Sequence, residues 1–139
     1  TVKVQAGVVA SEDMSGLSEG LPAKSIDLKN LNISQAICMS SVFGGCSSLK
    51  PLDPSSWGAS QMTGMSSMFN SCSSLESIVF SDWDVSRASN MHAIFAHCPS
   101  LSLLDISNWK ASSLNCMACM FEDWSPLKSL KISGWMGLV

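Results

Sequence analysis

Apolar positions in this chain recur with a fixed step of 26 residues. Phe43, Phe69, Phe95 and Phe121 form one series, Trp57, Trp83, Trp109 and Trp135 a second, and Met39, Met65, Met91 and Met117 a third. Leu49, Leu75, Leu101 and Leu127 keep the same step, as do the polar Ser55, Ser81, Ser107 and Ser133. Cys46, Cys72 and Cys98 follow it too, with Trp124 in the fourth place. A period of this size marks a repeat architecture, in which a unit buries its apolar face only against its neighbours. The spacing has no gaps, so stacked units of equal length set like residues upon like.

Each unit divides in two. In Leu101-Ser102-Leu103-Leu104-Asp105-Ile106-Ser107-Asn108-Trp109 the apolar Leu104 and Ile106 alternate with Leu103, Asp105 and Ser107, the period of a short strand. In residues 86–98 the apolar Ala88, Met91, Ile94, Phe95 and Cys98 fall at steps of three, three, one and three, one stripe of a short helix. Ser86 and Ser89 are the candidate N-caps, and Pro99 ends the element. The pattern predicts parallel strands near 25–29, 51–55, 77–81, 103–107 and 129–133, and helices near 37–44, 63–70, 89–97 and 115–122. The fold class expected is an α/β repeat: a leucine-rich-repeat-like right-handed solenoid with a parallel sheet on one face and short helices on the other. Phe69, Phe95, Cys72, Cys98, Trp83, Trp109, Leu75 and Leu101 are expected to be its core.

The run Phe69-Asn70-Ser71-Cys72-Ser73-Ser74-Leu75, followed by Ile78, Ser81, Trp83-Asp84-Val85-Ser86 and Asn90-Met91…Phe95, resembles the BspA-like leucine-rich repeat. That repeat belongs to surface proteins of bacteria of mouth and gut, of mycoplasmas and of some mucosal protists. The resemblance covers residues 25–137. It implies display outside the cell, at the surface or secreted, and roles in adhesion or host contact. The sequence departs from the family pattern at Pro51 and Pro54 in the second strand, at Val79 and Lys131 in place of the usual Asp, and at Trp124-Ser125-Pro126-Leu127.

Two divisions of the chain follow. Residues 25–139 hold about four 26-residue repeats. Residues 1–24 fit the register poorly and are expected to be an N-terminal cap or a degenerate first coil. The chain begins at Thr1, which suggests a processed product or a piece of something longer.

Composition narrows the function classes. Apolar residues make up 46 % of the chain and charged ones 14 %, which argues against intrinsic disorder. A net charge of −3 leaves no basic footprint for nucleic acid. No apolar run approaches the roughly 20 residues of a membrane helix, so no membrane insertion is expected in this segment. Serine occurs 29 times, so the sparsely charged surface is solvated mainly by hydroxyls.

Candidate chemistry is thin. Cys46, Cys72 and Cys98 read as buried free thiols acting as small hydrophobes, because coils separated like packed helices, by roughly 8–10 Å, leave no room for disulfides. Cys116 and Cys119 form a C-x-x-C, but a zinc site needs two further ligands, and only His92 lies close by in the repeat register. The tryptophan series reads as a buried ladder rather than an exposed sugar-stacking strip. His92 and His97, the two histidines, lie in the presumed helical half, away from the strand carboxylates, so no nucleophile–base pair is evident. Asn32-Ile33-Ser34 is a glycosylation sequon, relevant only in a eukaryotic secretory route.

The expected function is non-catalytic recognition or adhesion at a cell surface, with a host protein or glycan as partner and no cofactor, metal or enzymatic activity. The alternatives are a structural spacer within a larger surface protein and a thiol redox or metal protein using Cys116 and Cys119. The expected binding surface is the outward strand register: Ser77, Val79, Ser81, Leu103, Asp105, Ser107, Ser129, Lys131 and Ser133. Val79 and Leu103 stand out as apolar residues at polar positions.

Overall fold

The computed structural model describes residues 1–3, 5–55, 57–80, 83–125, 128–132 and 135. Five short strands run along the chain: β1 (Val2–Lys3), β2 (Ile26–Asp27), β3 (Ser77–Ile78), β4 (Leu103–Asp105) and β5 (Ser129–Lys131). They form two parallel sheets, β1-β2 and β3-β4-β5. The register of the larger sheet steps by the repeat, with Ser77 opposite Leu103 and Leu103 opposite Ser129. In the second unit only the isolated pairing of Leu52 with Ile78 forms. Pro51 and Pro54 flank it, and a proline offers no N–H to a ladder.

The α/β solenoid is not the architecture of this chain. Among the described residues there is no helix, and the strands form two small separate sheets rather than one face. The residues expected as helices are successive turns, and their hydrogen bonds give the reason. The N–H groups of Met39, Ser41, Phe43 and Gly45 donate to Gly64, Ser66, Met68 and Asn70 of the next unit, at 2.7–3.0 Å. The alternate N–H groups, of Val42, Gly44 and Cys46, donate to carbonyls three residues back. An α-helix instead sends every N–H to the carbonyl four back. The alternation repeats from Met65, Ser67, Phe69 and Ser71 to Asn90, His92, Ile94 and Ala96. It repeats again from Met91, Ala93, Phe95 and His97 to Cys116, Ala118, Met120 and Glu122.

Turning alternate peptides outward requires left-handed residues, and these also keep the repeat. Ser41, Ser67, Ala93 and Cys119 form one series with φ of 53–56°, and Gly45, Ser71, His97 and Asp123 form another with φ of 55–70°. Gly16 and Gly20 hold the same two places in the first unit. The left-handed conformation costs a non-glycine residue roughly 1–2 kcal/mol. The bonds between units are what oppose that cost. The proposed N-caps have other uses: Ser86 N–H donates to Asp84, and Ser89 Oγ donates to the Thr63 carbonyl of the preceding unit at 3.3 Å.

The core lies between the strand side and the turn side. Phe43, Phe69, Phe95 and Phe121 stack with centroids 5.3, 5.9 and 6.3 Å apart, and the four tryptophans do so at 6.2, 6.1 and 6.2 Å. The eight residues expected as core are all buried. Units this close together also correct the argument about the thiols, since helix-like separation does not keep them apart. Each Sγ of Cys46, Cys72 and Cys98 instead lies 3.0 Å from a carbonyl of the preceding unit, Ser18, Phe43 and Phe69 in turn. All six cysteines are free.

Residues 1–24 pair with the following unit at irregular steps. Val2 meets Ile26, Val9 meets Asn32 and Asp13 meets Cys38. Met14, Gly16, Ser18 and Gly20 then donate to Cys38, Ser40, Val42 and Gly44, the same alternation seen in the later units.

Candidate functional site

The strand side carries the positions expected to bind. β3, β4 and β5 lie side by side, so Ser77, Leu103 and Ser129 form one row across the sheet. Ser77 and Ser129 are half-buried, and Leu103 between them is 52 % exposed. The next outward row holds Val79, Asp105 and Lys131, with Val79 46 % exposed. Ser81 and Ser133 lie outside the described residues. The remaining member, Ser107, is half-buried and bound to Asp105.

Asp105 is fixed from two sides. Its Oδ1 accepts from the Ser107 hydroxyl at 2.6 Å and from the Ser107 N–H at 3.1 Å, and its Oδ2 pairs with Lys131 Nζ at 3.2 Å. The Ser107 hydroxyl, then its N–H, then Lys131 hold the Asp105 carboxyl below the usual carboxylate range. The Asp-x-Ser turn at 105–107 recurs at 53–55, where Asp53 accepts the Ser55 N–H at 2.9 Å. Val79 occupies the place between them in the row and lacks that acceptor. Its side chain instead lines a shallow depression of about 270 Å³ with Ile78, Phe80, Asp105 and Asn108. The structure thus joins Val79 to Asp105. Leu103 sits one row away and is not part of the depression.

Phe80 and Asn108 did not emerge from the sequence pattern. Phe80 had a signal, since its place holds Pro54, Ile106 and Ile132 in the other units. Its ring stands edge-on to Trp83 and Trp109, with centroids 4.8 and 5.0 Å away. Beside it the buried Trp109 Nε1 has no hydrogen-bond partner among the described residues. Trp83 and Trp135, by contrast, donate to the carbonyls of Pro54 and Ile106, each 29 residues earlier.

The thiols divide by environment. Burial raises the Cys46 and Cys72 thiols and pushes Cys98 up to about 11. Trp124, in the fourth place of that series, donates its indole N–H to the Leu101 carbonyl, so the series keeps a donor aimed at the preceding unit. Cys119 is exposed, and a hydrogen bond to Glu122, some desolvation and the Glu122 charge raise its thiol, contrary to what thiolate chemistry needs. At Cys38 burial pushes upward, but hydrogen bonds with the Ser15 and Ser40 side chains and the Ser40 backbone outweigh it and lower the thiol. Among the described residues no three His, Cys, Asp or Glu side chains are grouped to hold a metal ion. His97 pairs with Asp123 at 2.9 Å on the turn side, and His92 is exposed. Among the described residues no helix is long and apolar enough to cross a membrane.

Stacked 26-residue units tied by inter-unit backbone bonds, with one moulded patch on the strand side, define a repeat protein. The family described as "Mycoplasma protein of unknown function, DUF285" matches residues 12–136, and the chain belongs to it. Comparison with curated proteins and with solved structures gave no match.

Proposed function

We propose that the chain is a non-catalytic recognition or adhesion module, displayed at a cell surface or secreted, that contacts a host protein or glycan through its strand side. The observation that carries this reading is the exposed Val79 beside the anchored Asp105 in the depression shared with Asn108. Its row neighbour Asp105 is polar, and a solvated sheet face gains nothing from a valine there. A partner gains apolar area from Val79 and a preoriented acceptor from Asp105. Membership in a mycoplasma repeat family and the resemblance to BspA-like surface repeats support display outside the cell. The Leu103 row extends the surface across Ser77 and Ser129.

A Val79→Ser, Leu103→Ser double substitution tests this reading. Both side chains are exposed, so folding stability should stay within about 0.5 kcal/mol of the parent. Adherence of the displaying cell, or binding in a glycan-array and matrix-protein screen, should fall at least about tenfold. Undiminished adherence at unchanged stability would remove the strand side as the working surface. Charge is sparse here and the Asp105–Lys131 pair is already satisfied, so binding should depend only weakly on salt.

A further inference from the structure

Among the described residues, Trp109 Nε1 is the one buried side-chain nitrogen or oxygen without a hydrogen-bond partner. The repeat says where its N–H faces. The Trp109 ring lies within 8° of Trp83 and 17° of Trp135, and those two indoles each donate to the carbonyl 29 residues earlier. For Trp109 the residue 29 earlier is Phe80, which lines the strand-side depression, as does Asn108 next to Trp109 in the chain. The bond to the Phe80 carbonyl does not form. Trp109 is fully buried, so a donor aimed at the depression from beneath lacks the acceptor that its two counterparts have. A native fold seldom carries such an orphan without a use for it.

The depression supplies the opposite group as well. An ionised carboxylate has about four acceptor sites. At Asp105 the Ser107 hydroxyl, the Ser107 N–H and Lys131 take three of them, which leaves room for one further donor. Ile78 and the exposed Val79 add apolar surface to the same depression of about 270 Å³. A small ligand group that meets all three needs has one acceptor, one donor and one short apolar end.

We infer that the depression takes the acetamido group of an N-acetylated hexosamine. Its carbonyl accepts the Trp109 N–H, its N–H donates to Asp105, and its methyl packs on Val79. The inference rests on strand-side recognition and names the chemistry that side recognises. A sugar fits better than a peptide. A peptide strand needs an unpaired sheet edge, and residues 77–79 are already bonded to Leu52 on one side and to β4 on the other. The half-buried hydroxyls of Ser77 and Ser107, on the same side of the sheet, suit the hydroxyls of a sugar ring.

Nuclear magnetic resonance on the nitrogen-15-labelled chain tests this. The Trp109 indole N–H signal is the one lost in Trp109→Phe, which keeps an aromatic ring in the stack. N-acetylglucosamine should move that signal saturably. Glucose has no acetamido group and leaves the indole donor unpaired, so it should bind at least about tenfold more weakly. N-acetylalanine methylamide, a peptide unit without the sugar, should be weaker by a similar factor. Asp105→Asn, at an exposed position, should weaken N-acetylglucosamine at least about tenfold. The indole signals of Trp57 and Trp83 should stay in place in that variant and report an intact fold. No saturable shift with N-acetylglucosamine, equal affinity for glucose, or full affinity in Asp105→Asn would overturn the inference. Tighter binding of N-acetylalanine methylamide would overturn it too and assign the depression to a peptide. The adherence of Val79→Ser with Leu103→Ser reads strand-side recognition separately. Lost adherence without an indole shift in the parent chain keeps that reading and removes the acetamido site, and an indole shift with undiminished adherence does the reverse.

Discussion

Repeated side chains build the core: phenylalanines and tryptophans each stack on their own kind, and buried methionines, leucines and three cysteines fill further repeated places. Phe95 shows what one contributes. It is fully buried, with its ring parallel to Phe69 on one side and Phe121 on the other. Phe95→Ala removes both stacking contacts and leaves a void that neighbouring units cannot close. Denaturant melts should show a loss of about 3–5 kcal/mol, the usual cost of deleting a buried ring. The cysteines make a prediction of a different kind. Their pKa values are raised in the folded chain, so their contribution is intact below the ordinary thiol pKa, near 9.0, and is lost as pH rises through the folded value. For Cys98 that window runs from about 9 to about 11, with roughly 1.4 kcal/mol at stake per pH unit. Cys46 and Cys72 act in the same direction. Stability should therefore fall between pH 9 and 11, and Cys98→Ala should flatten the fall. A thiol reagent at neutral pH should leave these three cysteines untouched in the native chain and find all six after denaturation without reductant. Recovery of four or two would reveal disulfides and contradict the free-thiol arrangement.

At the scale of the element, the sequence was legible where residue spacing and backbone shape go together. Leu104 and Ile106 alternate with Leu103 and Asp105, and β4 forms there. A strand was expected near 51–55 although Pro51 and Pro54 lie in it, and only the isolated Leu52 pairing forms. The turn segments were misread because their spacing is ambiguous. Met91, Ile94, Phe95 and Cys98 bury at steps of three, one and three, which suits one face of a helix. A series of turns with i to i−3 bonds presents the same steps. What distinguishes them is the left-handed residue in each turn, and in Ala93, Ser67 and His97 that residue is not glycine, so no composition signal marks it. Only Gly16, Gly20 and Gly45 gave the hint, and each reads equally well as an ordinary loop glycine. The strand-side patch was legible in part: Val79 and Asp105 were read from the outward register, whereas Phe80 and Asn108 join them only through packing across units. Ala93→Gly tests the turn reading by its sign. In a helix interior the change would cost about 1 kcal/mol. At φ 53° glycine relieves the strain of a left-handed alanine. Thermal melts should show Ala93→Gly neutral to about 1 kcal/mol more stable, and a clear loss of stability would restore the helix.

The whole molecule is held along one direction, since described backbone bonds outside the strands run either within a turn or to an adjacent unit. A unit in the middle is bonded on both sides, and its outward N–H groups reach water only when the unit that receives them separates. Met65, Ser67, Phe69 and Ser71 donate to the unit that follows, at 2.8–2.9 Å, and have a further unit packed on the opposite side. Met117, Cys119, Phe121 and Asp123 hold the same places in the last turn segment, yet nothing among the described residues receives their protons. Opening free energies in a folded chain range from near zero at frayed edges to the global value in the middle. Hydrogen exchange should follow the same order. The amides of 117, 119, 121 and 123 should exchange at least on the order of a hundredfold faster than those of 65, 67, 69 and 71, a gap of about 2.8 kcal/mol. The two sets have the same places in the repeat and the same local turn geometry. Any difference between them therefore measures what the neighbouring unit contributes. Equal protection in both sets would mean that each turn segment is stable by itself. The 26-residue period would then record only a history of duplication, not the bonds that hold the molecule together.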